Sequence, residues 1–205
     1  VAETALAATE SWQVERSFWT GQAGTGTSGL QTVVFPHLAA NAVINDPTQM
    51  VQIMMQSAAV VVTGGALLNA TEALGAIEGA LADSYNGIGI IHVPQTAIPA
   101  LDAYGLIRTQ GPQMRTLNGN LVAVGAGYPG TSPAGAAHAI DATWFYATGA
   151  IMCYRGPITI RPRNLTEAFD KSENTIRMIA ERRYLLAWDC GHFAVNAALG
   201  APKGT

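Results

Sequence analysis

The first twenty residues contain no Gly or Pro and place apolar side chains at Val1, Ala5, Ala8 and Trp12, with Phe18 and Trp19 near the end. Spacings of three and four residues predict a helix over 1–20, stopped by Gly21. No N-cap precedes this helix, so further chain is expected upstream. Gly21, Gly24, Gly26 and Gly29 predict a loop. Asp46-Pro47-Thr48 reads as a helix start, with Met50, Ile53 and Met54 on one side. Ala58–Thr63 is β-branched enough to predict a strand, closed by Gly64-Gly65. Asn69 then predicts an N-cap, with Glu72 three residues later completing a capping box. Leu74, Ile77 and Leu81 fall on one face of that helix, and Asn86-Gly87 ends it. Ile88–Val93 predicts a buried strand. Thr96–Tyr104 predicts a short helix that tolerates Pro99 in its first turn and stops at Gly105.

From Leu106 onward the pattern turns to period two. Leu117–Val124 predicts a hairpin around Asn118-Gly119, and Gly125–Ala137 a long loop. Thr143–Thr148 and Ile151–Ile160 predict strands. Thr175–Asp189 predicts a single strand of unusual length, with Ile176, Met178 and Ala180 on one face. Farther along it, Tyr184, Leu186 and Trp188 alternate against Arg183, Leu185 and Ala187, and charged and apolar side chains are expected to leave on opposite faces. Phe193, Val195, Ala197 and Leu199 close the chain with the same alternation. There is no internal repeat and no linker of disordered composition.

Composition changes this picture in one respect. Of 205 residues 49% are hydrophobic, but only 12% are charged, about half the usual share for a soluble domain. A lone monomer normally covers itself with charge. No apolar run approaches the ~18 residues needed to span a membrane; Ser57–Thr63 and Ile88–Val93 have strand length. The deficit therefore points to surface covered by other copies of the chain, because interface cores are depleted in charge. A net charge of −3 argues against a dedicated nucleic-acid binder. Arg161, Arg163, Lys171, Arg177, Arg182 and Arg183 cluster in sequence, yet Glu167, Asp170, Glu173 and Glu181 lie among them, which reads as a mixed face whose arginines find acidic partners. Cys153 and Cys190 form no CxxC or disulfide pattern. Val1–Ala8 lacks a basic start and carries Glu3, so no signal peptide is read, and a reducing cytoplasm is the expected place of folding.

Candidate chemistry is sparse. Asp189-Cys190-Gly191-His192 places a thiol and an imidazole on one side of an extended chain, as a nucleophile and base or as two metal ligands would require. Catalytic Cys and His are normally distant in sequence, and no further metal ligands can be assigned, so a buried structural role fits better. His92, in Ile91-His92-Val93-Pro94, reads as a hydrogen-bonded core histidine, while His37 and His138 fall in loops. The glycine runs at Gly21–Gly29 and Gly125–Gly130 lack the Lys-Ser/Thr and the strand-to-helix setting of phosphate loops. Glu78, Asp83, Asp102 and Asp141 show no acid/base pairing. Trp12, Trp19, Trp144 and Trp188 read as core or interface anchors. No catalytic residue, cofactor or metal site is expected.

The order of elements resembles the Hong Kong 97-type major capsid proteins of tailed bacteriophages. Val14-Glu15-Arg16-Ser17-Phe18-Trp19-Thr20-Gly21 and the following glycines resemble the end of that family's spine helix. Thr71–Gly105 resembles the helix–strand–helix of its axial domain, and Asn120–Val124 a strand crossing that domain. Ala147-Thr148-Gly149 with Ile151–Ile160 resembles the strand leading into the peripheral domain. Asn174–Asp189, with Ala180-Glu181-Arg182-Arg183, resembles its long peripheral strand, and Ala194–Leu199 the returning axial strand. The family also carries an N-terminal arm and an E-loop before the spine helix, which this sequence does not include. The resemblance implies an α+β fold with a spine helix, an axial lobe (68–142 plus 190–200) and a peripheral lobe with long strands (1–67 plus 143–189). It implies a structural protein, not an enzyme, that assembles in hexamers and pentamers into the icosahedral head of a virion inside the bacterial host. Its partners would be copies of itself, other capsid, decoration or portal proteins, and non-specifically bound DNA at the inner wall, with no membrane. Arg161, Arg163, Arg177, Glu181, Arg182 and Arg183 would be inter-subunit contacts. An encapsulin-like compartment shell shares this fold and is the alternative; a thiol hydrolase using Cys190 and His192 is the remaining one.

Overall fold

A computed structural model describes residues 2–21, 37–39, 59–162, 168–170, 172–173, 175–176, 178–188 and 191–200. The helix start expected at Asp46-Pro47-Thr48 lies outside these residues, as does the glycine loop beyond Gly21. The first helix, α1 (Ala2–Thr20), ends at Gly21, whose φ is 71° and whose N–H donates to the Ser17 carbonyl at 2.8 Å. Its inner face is not the Ala5–Ala8–Trp12 stripe, which is exposed. Leu6, Glu10, Val14 and Phe18, each four residues from the last, turn toward the body.

The strand expected over Ala58–Thr63 is shorter. β1 is Val60–Val61, because Thr63 and Gly64 adopt left-handed backbone and turn the chain. β2 (Leu67–Asn69) leads into α2 (Ala70–Tyr85) through the expected capping box: Glu72 N–H donates to Asn69 Oδ1 at 2.9 Å, and Asn69 N–H to Glu72 Oε2 at 3.4 Å. Asn86, at φ 51°, terminates it. Then follow β3 (Ile90–Pro94), a 3₁₀ turn over Gln95–Ala97 and α3 (Ile98–Ala103), with Pro99 in the first turn as expected. β4 (Ile107–Gln110), β5 (Gln113–Thr116) and β6 (Leu121–Gly125) form a meander whose second turn holds Asn118-Gly119. After a long loop come β7 (Ala142–Thr148), β8 (Ile151–Arg161), β9 (Phe169–Asp170), β10 (Thr175–Ile176), β11 (Ile179–Trp188) and β12 (His192–Ala198).

Eight strands form one sheet in the order β1–β12–β7–β3–β6–β5–β4, with β2 also on β12. Leu74, Ile77 and Leu81 of α2 pack on one face against Ile91, Val93, Val122, Phe145, Phe193 and Val195. The other face meets the end of α1, where Phe18 and Trp19 pack with Tyr146 and Ala194. The alternation along β12 thus separates two cores, and residues 192–195 are buried on both faces. Val60–Val61, Leu67–Asn69 and Ala142–Thr148 all pair within this sheet.

β8 and β11 form a separate antiparallel ribbon. The single strand expected over Thr175–Asp189 is divided: β10 pairs with β9, and only β11 pairs with β8; Asp189 lies outside the described residues. Register slips between Arg182 and Tyr184. Gly156-Pro157 there oppose Arg183 alone, a β-bulge at a residue that has no N–H to give to the ladder. The whole is a mixed α+β structure.

Candidate functional site

Where α1 crosses the ribbon, a buried carboxylate meets two arginines. Glu10 is 7% exposed on the inner face of α1. Arg155 Nη2 of β8 donates to Glu10 Oε2 at 2.7 Å, and Arg182 Nη1 of β11 to Oε1 at 2.9 Å and Oε2 at 3.1 Å. Arg182 is the better shielded, with its side chain 13% exposed against 57% for Arg155. A hydrogen bond to Tyr184 contributes most to holding the Glu10 carboxyl below its ordinary value; Arg155 and Arg182 act in the same direction, against desolvation. The arrangement ties the helix to both strands of the ribbon at once.

Along β11, exposed and half-buried residues alternate without a break. Ala180, Arg182, Tyr184, Leu186 and Trp188 face α1; Ile179, Glu181, Arg183, Leu185 and Ala187 face away. Charged and apolar groups therefore do not separate by face as expected, because Glu10 supplies the inner face with a counter-charge that admits Arg182. On the outer face Arg161 and Glu181 pair at 2.9 Å, and Arg183 is exposed. Arg163 and Arg177 lie outside the described residues. The outer face also presents Met152, Tyr154, Ile179 and Leu185, with exposures from 64% to 74%, and Tyr154 pairs directly with Leu185 across the ribbon.

Where the ribbon returns to the sheet lies a second cluster. His92 is 1% exposed; its Nε2 is 2.9 Å from Thr148 Oγ1, and its Nδ1 3.4 Å from the Tyr128 hydroxyl. This is the hydrogen-bonded core histidine the sequence suggested. Phe18 packs edge-on against both His92 and Trp188, and Trp188 against His192. Burial pushes His92 down to about 3, aided by repulsion from His192. Burial likewise pushes His192 down to about 4, against a hydrogen bond with the Leu38 backbone and with some help from His37. Both imidazoles are neutral near pH 7. His192 Nε2 has no hydrogen-bond partner among the described residues.

Cys190, the other half of the thiol–imidazole reading, lies outside the described residues, and Cys153 is an exposed free thiol. Among the described residues no group of three or more His, Cys, Asp or Glu is placed to hold a metal, and no helix is long and apolar enough to cross a membrane. Glu78, unpaired by sequence spacing, is a buried carboxylate that accepts from the Thr116 hydroxyl and from Asn118 Nδ2 and Asn120 Nδ2, each amide at 2.8 Å. It ties α2 to the β5–β6 turn and is fully engaged there. The residue missed from sequence was Glu10, and its signal was legible: an acid within the i, i+4 series Leu6, Glu10, Val14, Phe18. Comparison with protein-family models, with curated proteins and with solved structures gives no match.

Proposed function

We propose that this chain is a structural shell subunit of the Hong Kong 97 type, which assembles with copies of itself into a closed head around packaged DNA. One observation carries the reading: the ribbon clamped to α1 displays Met152, Tyr154, Ile179 and Leu185 on a face that no described part of its own chain covers. Exposed apolar side chains grouped on one rigid face mark a contact surface. The clamp supplies that rigidity, since Glu10 engages both strands. A long helix beside a two-stranded ribbon, joined to a sheet body through a buried aromatic junction, suits a subunit whose work is mechanical. Sparse charge over the whole chain has the same explanation. The test is sedimentation velocity and electron microscopy of the purified protein. Closed shells, sedimenting far faster than a 21.4 kDa monomer, are the expected result; a compact monomer that persists at high concentration would overturn the proposal.

A further inference from the structure

Two arginines oppose each other on the outermost hairpin of the large sheet. In the β4–β5 pairing Arg108 is the direct cross-strand partner of Arg115, so their side chains leave on one face and repel. No carboxylate answers them among the described residues. Arg115 Nη1 donates to the Gly119 carbonyl at 2.8 Å, and Nη2 to Gln113 Oε1 at 2.8 Å. Arg108 is exposed and makes no hydrogen bond or ion pair there.

The register shows which face this is. Arg115 pairs with Leu121, Leu121 with Ile90, Ile90 with Thr148, and Thr148 with His192. That row lies on the α1 side of the sheet. The buried end of α1, however, packs against His92, Tyr146 and Ala194, on β3, β7 and β12. The β4–β5 hairpin extends past this cover, and β4 ends the sheet with one edge unpaired among the described residues.

The opposite side of the same body carries free carboxylates. Asp83, in the last turn of α2, and Asp141, just before β7, are exposed and make no side-chain bond among the described residues. They lie toward the two ends of β12: Ser84 beside Asp83 approaches Gly191, and Asp141 accepts the Leu199 N–H on its backbone carbonyl at 2.7 Å. β3, β6 and β5 stand between this region and β4.

We propose that Arg108 and Arg115 form a docking surface for carboxylates of a second copy of this chain, the cationic β4 edge of one copy meeting the acidic β12 side of the next. The proposal rests on the reading of the chain as a self-assembling subunit and says which edges meet. The paired arginines on β4–β5 and the carboxylates beside β12 suit a head-to-tail contact, which makes a ring where its rotation closes. Gly119 and Gln113 hold the Arg115 guanidinium in place, and a fixed planar fork suits bidentate capture of a carboxylate. The intrachain repulsion between the two arginines is then relieved on assembly.

This makes folding and assembly respond with opposite signs to one substitution. Arg108→Glu puts an opposite charge across from Arg115, so the isolated subunit should melt at or above the wild-type temperature. The concentration at which it self-associates should rise roughly tenfold or more, as loss of a close interfacial charge pair implies. Arg108→Lys should stay near wild type, and added salt should weaken association of the wild type more than that of Arg108→Glu. Self-association of Arg108→Glu at the wild-type concentration would overturn the proposal, and so would melting well below wild type, which would make the arginine pair a requirement of the fold. Normal association with selective loss of binding to a fluorescent DNA oligonucleotide would also overturn it, by assigning the pair to phosphate. Wild-type rings without closed shells would sink the shell reading and leave this one; closed shells indifferent to Arg108→Glu would do the reverse; a wild type that never associates overturns both.

Discussion

Glu10 shows how one residue couples elements that local sequence treats separately. Its carboxylate is shielded from water, and Arg182 beside it is largely shielded too. Removing the acid leaves that guanidinium without its counter-charge, so Glu10→Ala should cost about 1–3 kcal/mol, read as a lower urea midpoint at unchanged slope. The buried histidines govern the response to acid. Unfolded, each titrates near 6.5; folded, His92 is held down to about 3 and His192 to about 4. Between those limits the unfolded chain binds protons that the folded one refuses, so stability is full above 6.5 and falls as pH drops toward 4. The slope is about 1.4 kcal/mol per pH unit for each histidine. Glu10 adds to the loss lower down, since its stabilisation is present above the ordinary carboxyl value of 4.5 and disappears as pH falls through its depressed folded value. Urea unfolding from pH 7 to pH 4 checks this, with His92→Gln expected to halve the slope; a flat wild-type profile would contradict a buried neutral pair. Of these residues His92 was legible as a core histidine because its neighbours Ile91 and Val93 are apolar. For His192 the sequence favours a buried structural role over a reactive pair with Cys190, but Trp188 and Leu38, which surround it, are brought there only by folding.

At the scale of elements, what local chemistry writes in full was readable, and what depends on pairing was not. The capping box of α2 needs only Asn69, Glu72 and the backbone between them, so sequence alone places it. The division of the expected 175–189 strand depends on β9 and β8 competing for partners along it. Gly156-Pro157 was the one local warning of irregular pairing, and it lies on the opposite strand. The loop after β6 is held to α1 by a contact that sequence separation conceals. Gly127 N–H donates to Glu15 Oε2 at 2.9 Å, and a Cβ at Gly127 would collide with the Trp12 carbonyl and the Arg16 nitrogen. Both obstacles are helix backbone, which cannot rotate away. Gly127→Ala should therefore destabilise the protein by about 1–3 kcal/mol. The environment of Trp19, whose indole N–H donates to Thr131 in the same loop at 3.0 Å, should change with it, measured by tryptophan fluorescence at equal folded fraction.

For the whole molecule, the question is why a body with two buried cores leaves Met152, Tyr154, Ile179 and Leu185 exposed on the outer face of the ribbon. The ribbon buries its inner face against α1, and among the described residues no third layer covers its outer one. Leu185→Asp and Tyr154→Asp alter exposed side chains that pair across the ribbon, so each should lower subunit stability by about 1–2 kcal/mol and leave it folded. Either should abolish shell assembly, checked by electron microscopy beside a thermal melt of the same sample. Intact shells from both variants would remove the ribbon from the assembly surface.

Some features have causes that lie within a few residues and can be read locally: α1 and its stop at Gly21, the capped α2 and its apolar face, the short strand around His92, and the alternation along 179–188. The chain's 12% of charged residues is also read directly from the sequence. The side of α1 that turns inward is set by partners distant in sequence: Arg155 and Arg182 receive Glu10, and Tyr146 and Ala194 lie in the core that takes Phe18. Tertiary structure likewise made β12 a strand between two cores and brought Arg108 opposite Arg115. These are facts of pairing between distant segments, and periodicity along one segment shows that a face exists without showing what meets it.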